Sequence, residues 1–273
     1  MENKNSIGLI DSGIGGFTVL KELQNTLPLE NAIYLGDSKR MPYGEKENEE
    51  IIALANSDIR FLEEQGVKAI LLACNTVSSL IKKLTANVPL YSIVEAGCLA
   101  TLDLKPKGEV GLIATRATVN NEAYPKAMAN LSQNVKFVSQ GTRTLASVIN
   151  DYPEELELLR THIHLAIDPL IEEREIYTLL LGCTHFPIVK ETIEKLYPQL
   201  AIINPATKQI QILAKDLEKQ GTLNKGKTLG NTKIYTTGNK DDYKIFETMI
   251  GYLGLRCQKL SRCILDIDKK REV

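Results

Sequence analysis

Apolar positions along this chain gather into short unbroken runs, and two of the runs end at cysteine. Ala69-Ile70-Leu71-Leu72-Ala73 leads to Cys74, and Thr178-Leu179-Leu180-Leu181-Gly182 leads to Cys183. Runs of this length without helical spacing predict strands buried on both faces, as in parallel sheets. Further strands are predicted at 6–10, 32–36, 89–94, 110–115, 135–138, 201–204 and 232–236. Helical stretches separate them: 17–27, with Val19, Leu20 and Leu23 on one face, then 48–65, a helix after Cys74, 121–131 and 154–174. After Lys208 the chain reads helix, strand, helix and a short last strand. Strand–helix alternation of this kind predicts parallel sheets with helices on both faces. The pattern restarts at residue 110, so the chain reads as two similar α/β halves. We expect one domain from 1–97 plus 208–273 and a second from 98–207, with the C-terminal segment returning to the first sheet. A chain of 273 residues accommodates two such domains.

In open α/β sheets, ligands lie beyond the carboxyl ends of the strands. Cys74 and Cys183 both sit at such ends, each followed by small polar residues: Asn75-Thr76 after the first, Thr184-His185 after the second. If the halves face each other, one small molecule fits between two thiols. That arrangement suits taking a proton from one face of a carbon and returning it to the other. Either cysteine alone reads as a small apolar core residue; two in equivalent contexts shift the reading to chemistry. Two alternatives remain open. Cys74, Cys183 and His185 form a possible zinc set, although a structural zinc takes four ligands in spaced pairs. Cys183 with His185 forms a possible nucleophilic pair, which leaves Cys74 without a role. His162 and His164 fall on a predicted helix and read as ordinary surface or core residues.

Two loops carry further chemistry. Asp11-Ser12-Gly13-Ile14-Gly15-Gly16 joins a strand to a helix, and its glycines let backbone amides approach an anion. A dinucleotide fingerprint is incomplete here, because Thr18 occupies the third glycine position, although Asp37 follows the second strand where a ribose-binding acid lies. Asp37-Ser38-Lys39-Arg40-Met41-Pro42-Tyr43-Gly44 is a polar loop whose turn at Pro42 and Gly44 can present amides to a carboxylate.

Charge and composition narrow the partners. The net charge of −1 gives no broad attraction for nucleic acid or an anionic membrane. Trp is absent and aromatics are few, which argues against a base-stacking surface. The basic run Lys269-Lys270-Arg271 reads as a solvated tail. Five scattered cysteines without CxxC spacing, and an N-terminus lacking a signal-peptide pattern, predict reduced thiols in the cytoplasm. No apolar stretch is long enough to span a bilayer. No lysine lies in an obvious pyridoxal-phosphate setting, so we expect no cofactor and no metal.

Five segments together resemble the glutamate racemases of the aspartate/glutamate racemase superfamily. They are IGLIDSGIGGFTVLKEL (7–23), YLGDSKRMPYG (34–44), LLACNT (71–76), VGLIATRATVNNEAY (110–124) and LLLGCTHFP (179–187). The combination of DSG, CNT and GCTH carries the resemblance. It implies two pseudo-symmetric three-layer α/β/α domains with mostly parallel sheets and an active site in the interdomain cleft. It implies cofactor-independent interconversion of L- and D-glutamate, supplying D-glutamate for peptidoglycan, and we expect a homodimer. By position it makes Cys74 and Cys183 the two bases, with Asp11 and His185 beside them. Ser12, Asn75, Thr76 and Thr184 would hold the α-amino and α-carboxylate groups. Pro42, Tyr43, Gly44, Thr115 and Thr118 would define the side-chain carboxylate end. The family's second-domain FVPLVE-like segment reads Thr144-Leu145-Ala146-Ser147-Val148-Ile149-Asn150-Asp151, so Asn150 or Asp151 falls where its Glu is expected; we assign Asp151 the supporting role, with a helix cap as the plainer reading. The IEPG and DSGAE segments read Val94-Glu95-Ala96-Gly97 and Asn204-Pro205-Ala206-Thr207-Lys208. A racemase for another acidic amino acid such as aspartate, and a non-catalytic amino-acid-binding protein, are the alternatives.

Overall fold

A computed structural model describes residues 5–269. Most of the basic tail and the first residues of the N-terminus lie outside the described residues. The elements begin with β1 (Ile7–Asp11), α1 (Phe17–Thr26), β2 (Ala32–Gly36), α2 (Asn48–Glu64), β3 (Ala69–Leu72), α3 (Asn75–Ser78), β4 (Leu90–Ser92) and α4 (Ile93–Leu104). They continue with β5 (Val110–Thr115), α5 (Arg116–Asn120), α6 (Ala123–Ala129), β6 (Phe137–Thr142), α7 (Leu145–Asp151), α8 (Leu156–Glu173), β7 (Thr178–Gly182), α9 (Lys190–Leu196) and β8 (Ala201–Ile203). The chain closes with α10 (Pro205–Lys219), β9 (Thr232–Thr236), α11 (Lys240–Leu253), β10 (Lys259–Arg262) and α12 (Asp266–Lys269).

The strands form two sheets, ordered β10-β9-β2-β1-β3-β4 and β6-β5-β7-β8. Every pairing is parallel. β2 and β1 occupy the middle of the first sheet with β3 beside β1, and β5 and β7 the middle of the second. All residues of β1, β3 and β7 are buried, which is why they are apolar without alternation. Helices cover both faces. On the first sheet, Phe17, Leu20 and Leu23 of α1 and Ile210 and Leu213 of α10 pack on one side, and Ile51, Leu54, Ile59 and Leu62 of α2 on the other. On the second, Leu159, Ile163 and Ile167 of α8 cover one side, and Val94, Cys98, Tyr124 and Met128 of α4 and α6 the other. Fully burying each such aliphatic side chain contributes about 1.5–3 kcal/mol.

The predicted strands are present, with changes at four places. The helix expected after Cys74 is one short turn, α3, followed by a 3-10 turn at Ile81–Lys83. The strand expected over 89–94 stops at Ser92, whose hydroxyl accepts the Glu95 N–H at 3.2 Å and caps α4, so Ile93 and Val94 are helical. The helix expected over 121–131 is shortened to α6, starting after Glu122, a left-handed residue with φ 51° that separates it from the short α5. The strand expected over 135–138 runs on to Thr142; it is the half-buried edge of its sheet, so its polar second half carries no apolar signal.

Candidate active site

The carboxyl ends of the central strands of both sheets face one cavity of about 540 Å³. Strand register sets its walls. Ile10 pairs with Leu72 across β1 and β3, so Asp11 and Cys74 follow close together. Ala114 pairs with Gly182 across β5 and β7, so Thr115 and Cys183 do the same.

Asp11 ends β1 and is 1% exposed. One carboxylate oxygen accepts the Gly13 N–H at 2.9 Å, and the other accepts the Thr184 hydroxyl at 3.2 Å. The Thr18 hydroxyl donates to the Thr184 carbonyl at 2.9 Å. These contacts join the two sheets beneath the cavity. They require glycine nearby: a Cβ on Gly16 would lie 2.7 Å from the Asp11 Cβ and 2.8 Å from the Tyr34 hydroxyl, while one on Gly15 would strike Thr184 and the His185 ring.

Cys74 follows β3 and Cys183 follows β7; each is 6% exposed and each lines the cavity. Burial pushes the Cys74 thiol up to about 11, and the neighbouring Asp11 charge adds to it. Backbone N–H groups of Val77 and Thr76 and the Ser12 side chain act in the opposite direction. Burial likewise pushes Cys183 up to about 12, against the backbone N–H groups of His185 and Phe186. Both thiols are therefore protonated at neutral pH in the free protein. His185 lies with Nδ1 3.8 Å from Cys183 Sγ. Burial lowers its pKa, opposed by Asp11 and Asp151. Burial raises that of Asp11, with His185 opposing it. A carboxylate drawn upward and an imidazole drawn downward are thus brought together beside two thiols, a setting for proton exchange.

Of the residues singled out in the sequence, Ser12, Pro42, Tyr43, Gly44, Asn75, Thr76, Thr115, Asp151, Thr184 and His185 join the two cysteines on the cavity wall. Asp11 and Thr118 are placed behind it. Thr118 is 1% exposed, and its hydroxyl lies 3.0 Å from that of Thr115, so it reaches the cavity through Thr115. Tyr43 anchors its phenol on buried carboxylates. Its hydroxyl donates to Asp37 at 2.6 Å and to Asp58 at 3.3 Å. Asp37 also accepts from Thr237 at 2.6 Å and Arg40 at 2.5 Å, so it anchors this loop rather than standing free for a ribose. Asp151 is exposed at the end of α7, and the N-cap of the following helix, α8, is Glu155 rather than Asp151; Asn150 beside it lines the same wall.

The sequence reading passed over several contributors. Arg116, Thr142, Arg143 and Ser147 line the cavity; in sequence they look like ordinary loop residues. Tyr124, fully buried on α6, reaches across to donate to Asn75 Oδ1 at 2.6 Å. Among the described residues no group of three His, Cys, Asp or Glu side chains converges as a metal-ligand set.

Comparison with known proteins adds an independent line. A family model described as Asp/Glu/hydantoin racemase matches residues 8–213. Glutamate racemase 1 of Caldanaerobacter subterraneus subsp. tengcongensis is 35% identical over 247 residues, covering 89% of this chain and 91% of that protein. The crystal structure of glutamate racemase isoform RacE1 from Bacillus anthracis superposes with a TM-score of 0.88 at 29% identity, covering 96% of this chain and 98% of that one. Glutamate racemase from Francisella tularensis, solved in complex with D-glutamate, superposes with a TM-score of 0.86 at 30% identity, covering 97% and 99%.

Proposed function

The chain belongs to the Asp/Glu/hydantoin racemase family, and from that premise we propose that it interconverts L- and D-glutamate by a two-thiol proton transfer. The observation that carries the proposal is the pair of buried thiols, Cys74 and Cys183, lining one cavity from matching strand ends of two sheets. A base on each side of a bound carbon is what inversion requires. In the L-to-D direction the Cys183 thiolate removes the α-proton, and the electron pair left on Cα delocalises into the α-carboxylate. The Cys74 thiol then donates its proton to the opposite face and is left as thiolate. The reverse reaction exchanges the roles.

Each turnover therefore begins with one thiol ionised and one protonated. Binding supports that state: the substrate ammonium group favours a thiolate beside it, opposing the burial that holds both thiols neutral. Asp11 and His185 accept and return the proton that the starting thiol gives up, and Asp151 is the acid that supports Cys183. The developing charge at Cα is met by hydrogen-bond donors on the cavity wall. Asn75 is suited to this, because its Oδ1 is taken by Tyr124 while its buried Nδ2 has no protein partner. Ser12, Thr76 and Thr184 complete the α-amino and α-carboxylate end. The turn at Pro42, Tyr43 and Gly44, with Thr115 backed by Thr118, bounds the side-chain end. No cofactor enters this chemistry. D-Glutamate is consumed in peptidoglycan synthesis, which places the reaction in the cytoplasm, and we propose a homodimer as the working assembly. No helix among the described residues is long and apolar enough to cross a membrane.

A circular-dichroism assay across a panel of L-amino acids tests the proposal. Loss of ellipticity is expected with glutamate. Turnover of aspartate well above glutamate, or of no member of the panel, would overturn it.

A further inference from the structure

The loop between β2 and α2 carries Pro42, Tyr43 and Gly44 to the cavity wall. Its only regular structure is two 3-10 turns, Ser38–Arg40 and Tyr43–Glu45, so side-chain anchors must hold it. The Ser38 hydroxyl lies 2.7 Å from that of Thr236, and the Lys39 N–H donates to the Thr237 hydroxyl at 3.2 Å. Arg40 reaches further. One guanidinium nitrogen donates to Asp37 at 2.5 Å, and the other to Asp268 of α12 at 2.7 Å. The Arg40 side chain is 12% exposed and that of Asp268 18%, so water screens the pair little. Asp58, the other carboxyl beneath Tyr43, makes no claim on this cation. Burial, and then the charge of Asp37, raises its pKa well above the ordinary carboxylate range. Arg40 is thus shared between Asp37 and Asp268.

α12 is itself fixed in place. Leu265, just before it, is 1% exposed and belongs to the same buried cluster as Tyr43 and Cys74. Asp266 accepts from Arg60 of α2 at 2.7 Å and from the Ser57 hydroxyl. A chain of contacts therefore runs from α2 through α12 to Arg40, Asp37 and the Tyr43 hydroxyl. Arg40 and Asp268 are 228 positions apart in the chain, and neither enters the proposed reaction. Taking both charges largely out of water costs free energy that the pair returns only in part. What the pair fixes is the place of the loop relative to α12. Lys39 also reaches Asp268, at 2.8 Å, but its side chain is 55% exposed, and exposed pairs of this kind contribute little.

We propose that α12 is a clasp on the cavity wall, in which Asp268, acting through Arg40, is a positioning residue that holds the turn at Pro42, Tyr43 and Gly44 in place for the substrate. Its effect on substrate rests on the racemase reading, and the experiment separates the two. Asp268→Ala leaves the turn free to shift. A smaller fraction of the protein is then ready to bind, so the KM for glutamate should rise about three- to tenfold with kcat within about twofold of wild type. Hydrogen exchange in the ligand-free protein, read by mass spectrometry, should quicken by about the same factor over residues 38–46 and keep the wild-type rate over β3 and α4. Asp268→Glu, which keeps the charge, should restore most of both. Lys39→Ala should match the wild-type KM. Unchanged KM and unchanged exchange over 38–46 in Asp268→Ala would overturn the clasp. So would exchange that quickens equally over β3 and α4, which would make Asp268 a residue of general stability. If the wild-type protein does not racemise glutamate, the racemase reading fails, and exchange over 38–46 alone decides the clasp.

Discussion

Tyr124 donates a 2.6 Å hydrogen bond to Asn75 Oδ1, linking a helix on the second sheet to the residue that follows Cys74 on the first. The bond decides which way the carboxamide faces. Its oxygen is occupied, and its Nδ2 is left buried without a protein partner on the cavity wall. Burial holds the Tyr124 hydroxyl well above its ordinary pKa, so it remains a donor through the neutral range.

Tyr124→Phe removes the donor and leaves Asn75 free to flip. We expect a rise in KM for glutamate of about tenfold, with a loss of stability of about 1–3 kcal/mol from the unpaired buried oxygen. Steady-state kinetics and urea unfolding check both. A stability loss with unchanged KM would leave Tyr124 a packing residue.

Cys74→Ser and Cys183→Ser each replace a thiol with a far weaker acid of similar shape. Each should lower racemisation by about 10²–10⁴-fold, the usual contribution of one general base, with far-UV spectra unchanged. Full activity in either variant would reject the two-thiol mechanism.

The raised thiols predict alkaline behaviour. An exposed thiol titrates at 9.0, whereas burial holds Cys74 at about 11 and Cys183 and the core residue Cys98 at about 12. Above pH 9 the unfolded chain therefore binds fewer protons than the folded one, and stability falls with rising pH toward the folded values. Urea midpoints from pH 7 to 10.5 should decline, and less steeply in Cys98→Ala. In the free protein, iodoacetamide labelling of Cys74 and Cys183 should quicken about tenfold per pH unit over pH 7–10. Labelling at neutral pH as fast as that of a free thiol would contradict the burial argument.

Asp151→Asn tests the acid at the end of α7. The enantiomers have equal free energy, so kcat/KM must fall by the same factor in both directions. The asymmetry lies in isotope effects. If Asp151 supports Cys183, the variant should show a larger effect with α-deuterated L-glutamate and a smaller one with α-deuterated D-glutamate. Equal effects would leave His185 as the support of Cys183.

The buried strands were legible in the sequence because parallel strands have no polar face, and Cys74 and Cys183 could be read from the runs that deliver them. Side chains that reach the cavity from polar loops were harder to read. Arg116 and Arg143 meet only through the pairing of Thr115 with Thr142, a relation between strands that no local pattern encodes. Tyr124 faces Asn75 across 49 positions of chain. Thr118 is the exception among the expected wall residues: the register of α5 turns it toward Thr115, behind the wall, whereas Tyr43 lines the cavity with its hydroxyl anchored on Asp37. α4 was missed because its start, Ile93-Val94, continues the apolar run of β4.

The central claim is that two different groups handle the proton on the two faces of Cα. Racemisation of L-glutamate in deuterated water, sampled early and separated by enantiomer, tests it most directly. The account predicts D-glutamate fully deuterated at Cα, while the remaining L-glutamate keeps its hydrogen. Deuterium entering the recovered L-glutamate as fast as D-glutamate forms would mean a single base serves both faces, and would contradict the assignment of Cys74 and Cys183.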